Sequence, residues 1–297
     1  FDHAWAEAFE RHGIDYYPKL LSAVPFTPVR GPRLMARDAA SREILAHGAI
    51  TLARKYGIST LHVLFPHPDV VVALRAAGSL LREGVQFHWH NAGYDSFDTF
   101  LAGMNHDKRK KIRQDRRRVA DAGVTFRHVR GKAISQADLD FFYRCYASTY
   151  ENHWSSPYLN PEFFQTLLAR MPDAVLLILA ERDGAPVASA LNILGDGVLY
   201  GRYWGSTEFV SGLHFETCYL QAIEFCIQHG VQTFEGGAQG EHKMSRGLLP
   251  TPTWSAHWIA DERFAEAIAD FLERETQGMG RYLDELESHT PFKASAA

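Results

Sequence analysis

Two aspartate-glycine pairs, Asp183-Gly184 and Asp196-Gly197, cut the stretch AVLLILAERDGAPVASALNILGDGVLYGRYWGS into three apolar runs. Asp-Gly between such runs is the strongest short-range hairpin signal, because glycine takes positive φ without steric cost. Three consecutive antiparallel strands are therefore expected. Before them, VTFRHV reads as a strand, SQADLDFFYRCYASTYENHW as a helix opened by Ser135, and NPEFFQTLLARM as a helix with Asn160 as its cap and proline in its first turn. After them come an apolar helix, LHFETCYLQAIEFCIQHG, ended by Gly230, a strand VQTFE, a charged loop and an amphipathic tail from Asp261.

The first part of the chain is read as the end of a helix over 1–12 and a proline-punctuated extended segment, YYPKLLSAVPFTPV, over 16–29. Asp38 then precedes a helical run that stops at Gly57. STLHVLF is a strand, a short helix follows Pro68, and VQFHWHN is another strand. This is the latter half of an α/β unit without its opening strands, and with Phe1 as first residue it suggests a chain that starts inside a longer protein. Residues 97–121 read as one helical connector. The expected organisation is thus 1–96 as the remainder of a first lobe, 97–122 as a basic connector and 123–297 as a complete second lobe.

A chain of 297 residues usually needs more than one core. No apolar run approaches the roughly 20 residues of a membrane helix, and the start is not a signal peptide. Cys145, Cys218 and Cys226 are few, odd in number and set in helical patterns, which fits a reducing cytoplasm and no disulfide framework. A net charge of -4 gives no global attraction to polyanions. The exception is DKRKKIRQDRRR, Asp107 to Arg118, with eight basic residues against two acidic ones. Its simplest reading is a solvated face with salt bridges. Lys108, Arg109, Lys111 and Arg113 are also candidates to bind a phosphorylated acceptor or the tRNA of an aminoacyl donor. Fifteen histidines include His88 and His90 on one face of a strand, but no metal-ligand spacing is completed and no metal is expected.

The segment FEGGAQGEHKMSRG, Phe234 to Gly247, places carboxylates, an imidazole, cations and glycines between segments that read as core. Either it is a surface turn whose charges pair with one another, or it is an active-site loop. In the second reading Glu235, Glu241 and His242 are the candidate proton carriers, while Lys243 and Arg246 are cationic anchors. Gln239 lies among them as a candidate acceptor contact.

Five segments carry a resemblance: YYPKLLSAVPFTPVRGPRL at 16–34, LYGRYWGS at 199–206, LHFETCYLQAIE at 213–224, the charged loop, and TPTWSAHWI after it. Together they resemble the FemAB-like group of predicted N-acyltransferases, which is similar to the peptidoglycan-bridge aminoacyltransferases. The resemblance implies two GNAT-like lobes of α/β (α+β) fold, the first lacking its N-terminal strands here and the second complete. It implies transfer of an acyl group from an activated donor to an amine. No tightly bound cofactor is expected; a coenzyme A thioester is the expected co-substrate, with an aminoacyl-tRNA and a peptidoglycan precursor as the alternative pair. A non-catalytic ligand-binding protein of the same fold is a third reading. Donor contacts are then expected from Arg202, Gly205, His214, Glu216, Lys243 and Arg246, and acceptor contacts from Tyr203 and Trp204, whose aromatic rings are equally read as core. The coenzyme A signature of GNAT enzymes is incomplete, because Thr207 stands where it has glycine or alanine.

Overall fold

The computed structural model describes residues 2–151, 155–237 and 240–293. Along the chain the elements are α1 (His3–Arg11), β1 (Leu20–Ser22), α2 (Ala39–Lys55), β2 (Thr60–Leu64), α3 (Pro68–Ala76), β3 (Leu80–His90), α4 (Phe97–Gly103), α5 (His106–Asp121), β4 (Val124–Arg130), α6 (Gln136–Glu151), α7 (Pro161–Arg170), β5 (Val175–Arg182), β6 (Ala185–Gly195), β7 (Val198–Ser206), α8 (Leu213–Phe215), α9 (Gln221–His229), β8 (Thr233–Glu235), β9 (Leu249–Ile259) and α10 (Glu262–Ser288). A π-turn, Glu216–Leu220, joins α8 to α9.

Local sequence chemistry sets many of these boundaries. Asp38 accepts the Ser41 amide at 2.7 Å and opens α2, and Gly57 follows its end at φ 63°. Ser135 and Asp138 cap α6 reciprocally, and Asn160 accepts the Phe163 amide at 3.0 Å at the start of α7. At Asp183-Gly184 and Asp196-Gly197 all four residues have positive φ, so β5, β6 and β7 form the expected antiparallel meander.

The chain divides into two compact units, residues 1–86 with 251–288 and residues 87–250 with 289–297. This differs from a division at residue 97. Residues Ser255 to Ile259 of β9 pair with β2, and Ile268 and Leu272 of α10 join Phe9 and Tyr16 in one cluster, so the C-terminal helix belongs to the first unit. The basic helix belongs to the second. Nor is 97–121 one helix: Met104, wholly buried and extended, bridges Phe292 between α4 and α5.

In the first unit, β1 runs parallel to β2, and β2 antiparallel to β9. Ala46, Ile50 and Ala53 of α2 and Val70 and Leu74 of α3 pack on one face. The other face buries a polar chain. Ser255 bonds to Nε2 of His257 at 2.9 Å, the two histidine Nδ1 atoms of His257 and His62 meet at 2.8 Å, and Nε2 of His62 lies 2.9 Å from the Tyr16 hydroxyl, which donates to Asp2. Because Tyr16 donates outward, His62 must donate to Tyr16 and accept from His257, which fixes both tautomers as neutral. In the second unit the order is β3-β8-β7-β6-β5-β4, antiparallel except for the β7–β8 pair. Strand, two helices, three-strand meander, helix and strand follow one another as expected of a GNAT-like lobe.

Burial depresses His62 to about 4 and His257 to about 3. Unfolded histidines bind protons near 6.5, so the unfolded state takes up more protons between about pH 6.5 and 4. Stability therefore falls as pH is lowered through that window, by up to about 1.4 kcal/mol per pH unit for each histidine. Denaturant titrations from pH 4.5 to 7.5 are expected to show this slope, and His257→Gln to show a shallower one.

Candidate active site

β7 and β8 pair in parallel over only three positions, Val198 with Thr233, Leu199 with Phe234 and Tyr200 with Glu235. Beyond Tyr200, β7 continues to Ser206 along β6 while β8 ends, so the two strands part. A cavity of about 140 Å³ opens in the gap, lined by the continuing strand at Arg202 and Trp204, by Gly236 and Gly237 after β8, and by the helix carrying His214 and Tyr219. Arg202 is the extra residue of a β-bulge, since Leu191 pairs with Tyr203 and Asn192 with Gly201. A bulge re-aims the side chain and disrupts the ladder locally. On the opposite wall the helix is underwound by the π-turn, another irregularity that concentrates at functional sites.

The structure brings some of the expected site residues to this cavity and not others. Arg202, Tyr203, Trp204 and His214 line it. His214 packs its ring 5.2 Å from Trp204, and burial, followed by the charges of His242, Arg246 and Lys243, keeps it neutral. Tyr203 faces α6, meets the Tyr146 ring edge-on at 4.9 Å and hydrogen-bonds the Tyr158 hydroxyl. Gly205 is a packing glycine: a Cβ there would lie 2.0 Å from the Cys145 carbonyl oxygen, so β7 and α6 meet backbone to backbone. Its neighbour Thr207 gives its amide to Val187 at 2.9 Å, in continuation of the ladder. The incomplete coenzyme A signature is therefore tied up in strand pairing and helix contact.

Glu216 turns away from the cavity. It is buried, its Oε1 3.0 Å from Arg116 Nε of α5 and 2.8 Å from Gln221 Nε2, and burial raises its pKa despite Arg116. Glu235 is likewise buried, with Oε1 3.8 Å from His88 Nδ1 on β3. Glu241 is exposed at the start of a 3₁₀ turn, Glu241–Arg246. Gln239 lies outside the described residues. Arg109 and Arg113 sit on α5, where with His106, Lys110, Gln114 and Arg117 they form one exposed basic groove. Arg113 also meets Asp98 at 3.3 Å.

The charged loop itself is less solvated than its composition suggests. Lys243 is 2% exposed, donates to the Gly237 carbonyl at 2.8 Å, and is lowered by burial to about 8. Next to it, His242 is exposed, with Nε2 3.5 Å from the Tyr219 hydroxyl. Desolvation, then the charges of Lys243 and Arg246, hold its pKa below the usual value. Arg246 lies 3.9 Å over the Phe215 ring and donates to the His242 carbonyl at 3.0 Å, so its fork shapes the loop. Sequence reasoning read Lys243 as a cationic anchor and gave no depth for it. Its burial has no local signal in a segment this rich in charge and glycine.

A family model described as peptidoglycan biosynthesis/recognition matches residues 1–294. The chain belongs to this FemAB-like family. Solved structures of similar fold include the C-terminal domain of a putative lysylphosphatidylglycerol synthetase from Agrobacterium fabrum, at 13% identity and TM-score 0.58 over 79% of this chain and 78% of that one. FemX follows at 14% identity and TM-score 0.55, over 83% of this chain and 85% of its own. L-PGS from Bacillus licheniformis has 11% identity and TM-score 0.54, with 72% of each chain covered. At such identities the likeness is one of fold. No curated protein sequence matches the chain significantly. Among the described residues no helix is long and apolar enough to cross a membrane, and no group of residues is arranged to hold a metal.

Gly205→Ala forces a methyl into the α6 backbone and is expected to cost about 3 kcal/mol by overpacking. Thermal unfolding of the variant measures it, and an unchanged melting temperature would contradict the close approach.

Proposed function

We propose that this FemAB-like protein is an N-acyltransferase that moves an acyl group from an activated donor to an amine in the cavity between β7 and β8. The observation that carries the reading is the buried Lys243, whose ammonium bonds the carbonyl of Gly237 in the cavity wall, together with Tyr219 of the same wall, whose hydroxyl lies 3.5 Å from His242 Nε2. Transfer to an amine requires a neutral nucleophile, a proton acceptor and stabilisation of a tetrahedral oxyanion. In the proposed step the amine attacks the acyl carbon, and the oxyanion forms near the Lys243 ammonium. Tyr219 takes the amine proton as it passes its own to His242, and as the carbonyl reforms the same relay returns the proton to the leaving oxygen or sulfur, so that His242 and Tyr219 end neutral. Donor esters and thioesters are already activated, so positioning does much of the rest. Glu235, paired with His88, holds the end of β8; neither it nor Glu241 lines the cavity.

The donor follows from where a phosphate can sit. A coenzyme A thioester needs free backbone amides at the end of β7, and there Gly205 and Thr207 are engaged with α6 and Val187. The basic groove on α5, bearing Arg109, Lys110, Arg113 and Arg117, fits a polyanionic carrier instead. This favours an aminoacyl-tRNA donor and a cell-wall precursor acceptor in the cytoplasm over an acyl-CoA and a small amine. Binding of aminoacyl-tRNA is expected to weaken steeply between about 50 and about 200 mM salt, and the slope of log affinity against log salt is expected to fall by about two in Arg113→Ala/Arg117→Ala. Tight, saturable binding of coenzyme A with no tRNA binding would reverse the choice.

The pH dependence of kcat/KM is expected to be bell-shaped. The acid limb lies below 6.5, where His242 becomes protonated, and the alkaline limb is near 8, where Lys243 loses its charge. Lys243→Met is expected to lower turnover by about 10² to 10³ with the fold intact and to abolish the alkaline limb. Wild-type rates in both Lys243→Met and His242→Ala would overturn the site.

A further inference from the structure

The segment 16–37, YYPKLLSAVPFTPVRGPRLMAR, contributes no residue to the cavity between β7 and β8. Five of its large apolar side chains are exposed: Tyr17, Leu21, Val24, Phe26 and Met35, with Phe26 at 77% and Met35 at 82%. Apolar residues scattered singly over a surface are ordinary; five on one short segment mark a surface that meets something apolar.

Phe26 is the tip of a built turn. Its φ is 50°, in the left-handed region that a bulky side chain occupies only where the surrounding structure holds it. The Thr27 amide reaches the Val24 carbonyl at 3.3 Å, and the Thr27 hydroxyl donates to the Pro25 carbonyl at 2.9 Å. Behind the turn, Gln86 donates to the Pro28 carbonyl at 2.8 Å, and Arg33 donates to the carbonyls of Val29 and Leu64, each at 2.8 Å. The Gly31 amide reaches the Phe65 carbonyl at 3.0 Å. All of these partners lie in the first compact unit. Pro25 and Pro28 further restrict the backbone. An aromatic ring is thus held out in water, at a conformational cost, on a pinned base.

Charge selects the partner. From Tyr16 to Arg37 there are four cations, Lys19, Arg30, Arg33 and Arg37, and no carboxylate, in a chain whose net charge is -4. Lys19 is paired with Asp2. Arg33 bonds only carbonyls in the contacts above and so keeps its charge, and Arg37 is 89% exposed, 3.8 Å from an exposed Asp38, a contact worth little in water. Exposed aromatic and aliphatic side chains flanked by cations match an anionic bilayer surface, where rings settle at headgroup level and arginines meet lipid phosphates.

We propose that the turn 24–27, with Arg30 and Arg37 beside it in sequence, docks this protein peripherally on anionic lipid bilayers, Phe26 entering the headgroup region. Neither the cavity nor the acyl-transfer reading is needed for it.

Co-sedimentation of the whole chain with vesicles of phosphatidylcholine mixed with phosphatidylglycerol, and with vesicles of phosphatidylcholine alone, tests the proposal. Binding is expected to the mixed vesicles, to weaken with added salt, and to be much weaker on the neutral ones. Phe26→Ser is expected to weaken binding at least about tenfold with the melting temperature retained, and Phe26→Trp to preserve it. Arg30→Gln and Arg37→Gln are each expected to weaken it about fivefold. Arg113→Ala/Arg117→Ala, in the basic groove of α5, is expected to bind as the parent does. Equal binding to both kinds of vesicle, binding unchanged in Phe26→Ser, or binding lost only in the α5 variant would overturn the proposal. No binding to either vesicle would overturn it as well and leave a protein partner as the occupant of the turn.

Discussion

The parallel pairing of Val198–Tyr200 with Thr233–Glu235 is short, and everything at the candidate site depends on where it stops. Had β8 continued, the backbone of Gly236 and Gly237 would pair with β7 and fill the gap. Instead Gly237 takes positive φ and turns its carbonyl to the Lys243 ammonium, closing the charged loop on itself. On the other side Gly205 lets β7 lie directly on α6, which fixes the continuing strand while its partner leaves. The cavity is therefore a consequence of backbone geometry, and the side chains inherit their positions from it.

Electrostatics then sort those side chains. Burial costs a charge dearly unless something compensates, so a lysine at 2% exposure titrates early and a nearby histidine stays neutral. Glu216 meets the same constraint differently, with Arg116 and Gln221 beside one oxygen. That link ties the basic helix to the π-turn whose next residues, Cys218 and Tyr219, line the cavity. The helix that carries the groove is thus tied by Arg116 to the cavity wall within one compact unit.

The features legible in the sequence are those that one short segment decides by itself. Asp-Gly turns, the Asp38, Ser135 and Asn160 caps and the terminal Gly57 and Gly230 all work within a few residues, and all are present. What escaped depends on distant partners. The break at Met104 answers to Phe292, the return of α10 to the first unit answers to Phe9 and Tyr16, and the bulge at Arg202 is a property of two strands. The burial of Lys243 and the pairing of Glu216 with Arg116 likewise depend on segments distant in sequence. The chain Asp2–Tyr16–His62–His257–Ser255 spans segments nearly the whole sequence apart and has no local signature.

The central claim is that Lys243 is a buried, easily deprotonated cation at the gap between β7 and β8. Nuclear magnetic resonance of isotope-labelled lysine side chains, with Lys243→Met to assign the signal, measures its titration directly. A midpoint of about 8 is the expected result; a midpoint near the ordinary 10.5 would mean that the ammonium is solvated and that the site is not the one described.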